Sequence, residues 1–200
     1  MNLPGWFCPR TRNDPVTALS GFRFRAFIER RMKNIFLVGF MGTGKTSVGK
    51  ALARKKRWRF VDLDDRIEAS EKRKIADIFA RDGEPYFRQL EKQALREAVL
   101  ESSCVIACGG GIVTDPENIE IMKKAGILVC LTASAEVIIE RTRRFAHRPL
   151  LNVPDPKAKI ESLLKIRAAA YALADVSIDT SGVSIQEAAE KISLATADHE

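Results

Sequence analysis

The sequence predicts an α/β fold: a parallel sheet with helices on both faces. Two observations carry that prediction. Apolar runs recur along the chain and read as strands buried on both sides, each followed by a segment of helical period. The first of these runs leads into a glycine-rich turn that opens a helix. The length of 200 residues allows one domain or one with extras, and 46% hydrophobic with 30% charged residues is the composition of a globular chain.

The elements follow in order. Ile35–Val38 is the first strand, and Lys45–Lys56 a helix with Val48 and Leu52 one turn apart. Arg59–Asp62 is the second strand. Asp65–Glu71, Ile75–Arg81 and Pro85–Leu100 read as helices, the last with Leu90, Ala94, Leu95 and Ala98 on one face. Cys104–Ala107 is the third strand, Pro116–Ala125 a helix and Ile127–Leu131 the fourth strand. Ala135–Arg144 and Lys157–Ala174 are helical, and Val176–Asp179 is the last strand. A final helix runs from Ser184 to about Leu194, with Ser184 as N-cap and Glu187 completing a capping box.

Charge and cysteine usage narrow the function classes. The longest stretch without a charge, Ser102 to Thr114, is too short to cross a bilayer and contains three glycines. Cys104, Cys108 and Cys130 lie in apolar runs and read, with Cys8, as reduced thiols of a cytosol; with only His147 and His199 beside them, no zinc site is expected. The net charge of +7 is uneven. Residues 1–31 hold six Arg against Asp14 and Glu29, so they carry +4 and the rest +3. That segment has no secretory h-region and no apolar period. It reads as a mobile extension, with targeting or nucleic-acid binding as its alternative.

Gly39-Phe-Met-Gly-Thr-Gly-Lys-Thr46 fits G-x-x-x-x-G-K-[ST] between a strand and a helix, the P-loop arrangement. Its glycines let backbone N–H groups approach phosphate oxygens, and the helix N-terminus adds partial positive charge. Gly42, Thr43, Gly44, Lys45, Thr46 and Ser47 form the expected nucleotide cradle. Lys45 reaches the β and γ phosphates, and Thr46 ligates Mg²⁺. Binding of a nucleoside triphosphate follows.

The acceptor side is read from four further features. Asp62 and Asp64 stand at i and i+2 where the second strand ends, a spacing that aims both carboxylates the same way in an extended chain. One can hold a Mg²⁺ water and the other orient an alcohol, or both can be capping acids of the next helix. Pro85 opens a helix with Arg88 in its first turn and Glu91 at i+3; this is either a held guanidinium for a substrate anion or a surface ion pair. Gly109, Gly110 and Gly111 end the third strand and permit close approach. Four arginines between Arg141 and Arg148 precede a Pro, the composition of a basic lid or of a solvated helix end.

Together these segments resemble the shikimate kinase family. The resemblance spans roughly Lys33 to Ala189 and rests on the P-loop, Phe60-Val-Asp-Leu-Asp-Asp-Arg-Ile-Glu68, Gly83-Glu-Pro-Tyr-Phe-Arg-Gln-Leu-Glu91, Gly109-Gly-Gly111, Arg148-Pro-Leu-Leu151, and Arg167 four residues before Tyr171. It implies a three-layer P-loop fold with strand order 2-3-1-4-5, a substrate-binding helical segment over about residues 63–92 and a lid over about 142–155. It implies ATP-dependent phosphorylation of the 3-hydroxyl of shikimate. The reduced thiols and the mixed charges after residue 31 add the expectation of a cytoplasmic protein, taken as a monomer, that binds neither nucleic acid nor membrane. Asp64 would hold the reacting diol, and Arg88, Gly110 and Arg167 the carboxylate and ring, with Gly109 and Gly111 alongside. Asp62 would join Thr46 at Mg²⁺, Glu91 would orient Arg88, Arg148 would meet the ATP phosphates, and Arg141 would flank adenine with the Asp179–Ser181 loop. Three departures stand out. Cys108 replaces a common Thr or Ser, Ala-Ala-Tyr171 replaces Pro-Leu-Tyr, and the basic N-terminal segment lies outside the family domain. The alternatives are a related kinase of a sugar acid or nucleotide, and a nucleotide-binding regulator without turnover.

Overall fold

A computed structural model describes residues 34–143 and 155–197. Residues 1–31, Cys8, His147, His199, most of the expected lid and Arg148 itself lie outside the described residues.

Five parallel strands form one sheet: β1 (Asn34–Val38), β2 (Arg59–Asp62), β3 (Cys104–Ala107), β4 (Gly126–Thr132) and β5 (Val176–Asp179). Their order is β2-β3-β1-β4-β5, all pairs parallel, as the resemblance implied. β1 explains why the strands read as unbroken apolar runs. Its residues alternate between two cores: Ile35 and Leu37 face Val48, Leu52, Val129 and Ile192, while Phe36 and Val38 face Leu63, Ile78, Phe87 and Leu95. A strand with a core on each side has no polar face.

The helices are α1 (Lys45–Lys56), α2 (Leu63–Glu71), α3 (Ile75–Ala98), α4 (Pro116–Ala125), α5 (Ala135–Thr142), α6 (Pro156–Tyr171) and α7 (Ile185–Ala195), with a 3-10 turn at Ile112–Thr114. α1 and α7 cover one face; α7 carries the expected capping box between Ser184 and Glu187. Among the described residues no helix is long and apolar enough to cross a membrane.

Two expectations need correction, and a third holds across a kink. α2 begins at Leu63, two residues early, because Asp62 itself is the N-cap: its Oδ1 accepts from the Asp64 N–H at 3.1 Å. Asp62 and Asp64 are therefore not two successive outward residues of one extended strand. The first caps a helix and the second stands in its first turn. The two helices expected over Ile75–Arg81 and Pro85–Leu100 are both present: within Ile75–Ala98 two helical runs meet at a kink at Gly83 (φ 80, ψ 175). A β-carbon would be strained there, and the break lets Pro85 start a new helical run without a lost hydrogen bond. α6 ends at Tyr171 rather than Ala174, with the N–H of Ala172 closing it onto Ala168 and Ala170 carbonyls.

Candidate active site

The carboxyl ends of the strands open into one cleft of about 1310 Å³, where an open α/β sheet binds its ligands. Two half-sites face each other across it.

The first half-site is the P-loop at the end of central β1. Gly44 is the N-cap of α1 with φ 91, a left-handed conformation that an L side chain rarely adopts. No acidic residue stands in the first turn, so the positive end of α1 is left to an external anion. Lys45 Nζ donates to the Gly39 and Phe40 carbonyls at 2.9 and 3.0 Å, which holds the ammonium over the loop. Thr46 Oγ1 donates to Asp62 Oδ2 at 2.9 Å, bringing the two expected metal ligands together. Burial raises the Asp62 pKa, against the lowering effect of the Thr46 hydroxyl. A cation at these oxygens would oppose that rise, and both donors are of the hard type that Mg²⁺ takes.

The loop is braced from β5. Thr180 Oγ1 lies 3.1 Å from the Thr43 carbonyl, and Arg141 donates to the carbonyls of Gly42 (3.3 Å) and Thr180 (2.7 Å). Arg141 thus joins the P-loop to the segment after Asp179. Ser47 also lines the cleft.

The second half-site centres on the three glycines after β3. A β-carbon on Gly111 would overlap the Arg88 guanidinium, and one on Gly109 would overlap Glu91 Oε1 and lie 3.3 Å from Asp64 Oδ1. Both side chains therefore pack directly against glycine backbone. Glu91 faces the core of α3 with 1% of its side chain exposed, and its Oε2 accepts from Arg88 Nη1 at 2.7 Å. Burial raises the Glu91 pKa even though Arg88 opposes the rise, while Asp64 reinforces it. Burial also works against the charge on Arg88, yet Glu91 and Glu84 hold its pKa above the ordinary value. The depth of Glu91 makes its pair with Arg88 more than a plain surface ion pair.

From the opposite side, α6 brings Arg167, whose Nη1 donates to the Gly110 carbonyl at 3.0 Å. Its guanidinium lies 5.6 Å from the Phe40 ring, so it leans on the phosphate loop. One turn later Tyr171 Oη donates to the same Gly110 carbonyl at 2.9 Å. Sequence reasoning placed Arg167 but missed Phe40, and used Tyr171 only as a motif mark. Arg88, Arg167, Asp64 and Gly109–Gly111 all line the cleft that the P-loop lines. Cys108, replacing the common hydroxyl residue, is buried beside Met122 and its thiol pKa is pushed well up by burial, so it supplies no thiolate there.

A shikimate kinase family model matches residues 41–196. The chain belongs to the shikimate kinase family. It is 47% identical over 161 residues to the shikimate kinase of Thermodesulfovibrio yellowstonii, covering 80% of this chain and 93% of that one. With the shikimate kinase of Thermoanaerobacter pseudethanolicus the identity is 45%, over 80% and 94%. Among solved structures, shikimate kinase from Acinetobacter baumannii in complex with shikimate superposes with TM-score 0.80 at 39% identity, covering 87% of this chain and 97% of that one.

Membership in the shikimate kinase family makes the glycine run the sensitive test of the second half-site. Gly111→Ala is expected to destabilise the fold by about 1–3 kcal/mol, because the added methyl meets a guanidinium anchored to buried Glu91. A lowered melting temperature with a raised acceptor KM checks it; an unchanged KM would show that the Arg88 position is not needed.

Proposed function

We propose that this protein transfers the γ-phosphoryl group of ATP to the 3-hydroxyl of shikimate, giving shikimate 3-phosphate and ADP. The observation that carries the reading is the convergence of Arg88 and Arg167, from separate helices, on Gly109–Gly111 beside Asp64, within the cleft that holds the P-loop. A carboxylate clamp next to an alcohol-orienting acid fits a compact hydroxy acid better than a neutral polyol. Family membership and the shikimate complex of a related structure support the same assignment.

In this mechanism Lys45 and the N-terminus of α1 hold the β and γ phosphates, so that transfer proceeds by positioning and charge stabilisation. Thr46 and Asp62 would hold Mg²⁺, which when bound neutralises charge on those phosphates. Asp64 accepts a hydrogen bond from the attacking hydroxyl and takes up its proton as the bond to phosphorus forms. Arg88 and Arg167 fix the carboxylate, and Glu91 fixes Arg88. Arg141, with the Thr180 segment, flanks the adenine, and Arg148 meets the phosphates. We place the reaction on a monomer in the cytosol. Cys104, Cys108 and Cys130 are buried free thiols, which fits a reducing compartment.

Coupled ADP release measured with shikimate, quinate, gluconate and nucleoside monophosphates tests the acceptor. Turnover is expected with shikimate above the others; preference for gluconate or a nucleotide would reassign the second half-site. We further read residues 1–31 as an extension outside the kinase domain, since the family match begins at residue 41. A chain starting at Met32 should keep its kcat and melting temperature, and a drop of several degrees would show that the segment stabilises the domain.

A further inference from the structure

Arg88 makes a contact that the acceptor clamp does not account for. A guanidinium binds a carboxylate best through two neighbouring N–H groups. Here Nη1 is directed inward to Glu91 Oε2. Nε and Nη2, which form one complete fork, both donate to Glu84 Oε1, at 3.2 and 2.8 Å. The face of the guanidinium lies against Gly111. A carboxylate oxygen of the protein therefore already sits in the fork that a substrate carboxylate would use.

The two acidic partners of Arg88 differ in depth. Glu91 is 1% exposed and locked in the core of α3, whereas Glu84 is 63% exposed. Glu84 can leave for water at little cost, and it follows Gly83, the break in the helical run. Arg88 lines the cleft and Glu84 does not, so the fork is held toward the rim by this contact.

We propose that Glu84 is an internal competitor for the acceptor carboxylate, one that makes entry to the Arg88 fork conditional on a negatively charged ligand. An anionic acceptor replaces one charge-assisted pair by another and frees Glu84 into solvent. A neutral polyol or amide offers no equal partner and leaves the Glu84 pair in place. The proposal rests on the assignment of Arg88 to the acceptor site. It adds that specificity for an acid is set in part by what the acid must displace.

The test is calorimetric titration of the full chain with shikimate and with shikimate amide. An exposed pair of this kind has a modest strength, so Glu84→Gln should tighten shikimate binding by roughly 2- to 5-fold. Amide affinity should change by less than that. In an Arg88→Ala background, Glu84→Gln should tighten nothing, because the competed fork is gone. Tightening that persists there would be a long-range effect of lost negative charge, and it overturns the proposal. So does unchanged or weakened shikimate binding by Glu84→Gln, or equal tightening of acid and amide. Wild-type protein that binds no shikimate would overturn the acceptor assignment and the competitor role together; normal wild-type binding without a Glu84→Gln response overturns the competitor role alone.

Discussion

Lys45→Ala is expected to lower kcat by on the order of 10²–10³-fold, the loss typical of removing one pre-positioned charge donor from a transition state. The ammonium is held by the Gly39 and Phe40 carbonyls, directly above the N-terminus of α1. A phosphate entering the loop meets it without reorganisation, which is why its loss falls on the chemical step. Stability should suffer little. Alanine suits the first turn of a helix, and the hydrogen bonds lost are partly buried ones, so about 1 kcal/mol is at stake. That corresponds to a few degrees of melting temperature in a domain of this size. Steady-state kinetics beside a thermal melt separate the two effects. Near wild-type turnover would remove the P-loop from the mechanism.

The second large effect belongs to the carboxylate clamp. Arg88→Ala and Arg167→Ala should each raise the Kd for shikimate by roughly 10- to 100-fold, the range set by loss of a charge-assisted bond of about 1.5–3 kcal/mol. ATP affinity should change little for Arg88→Ala. Arg167 also leans on Phe40 of the P-loop, so its variant should show a small loss of nucleotide affinity as well. Lysine should rescue neither position, since a point charge lacks the planar fork. Shikimate amide distinguishes a clamp from a loosened helix. The wild type should bind it poorly and lose little more on mutation, whereas equal losses for acid and amide would mean that the arginines serve only structure.

The departures of structure from sequence reasoning have local causes. The sequence places the helix after β2 at Asp65 because Asp62-Leu63-Asp64 reads as the end of a strand. Asp62 instead caps the helix with one oxygen and receives the Thr46 hydroxyl with the other. One carboxylate does two tasks, and no local pattern distinguishes that from either alone. The i+3 spacing pairs Glu91 with Arg88, and the structure has that pair. That it lies on the core face of α3 is a matter of which way the helix packs. Glu84 stood in the same motif without a role, because the i+4 spacing to Arg88 matches any exposed helical pair.

The sequence by itself determined the layers of the fold and the phosphate half of the site. Both are written in contiguous residues: apolar runs at strand length, and a glycine-rich turn whose backbone does the binding. The acceptor half depends on Asp64, Arg88, Gly109–Gly111 and Arg167, which span about a hundred positions in the chain. Only the tertiary structure decided that these share one cleft, that Phe40 supports Arg167, and that Glu84 occupies the fork of Arg88. The reason is physical. Local sequence sets dihedrals and periodicity, while the meeting of side chains on separate helices follows from how those helices pack across a twisted sheet.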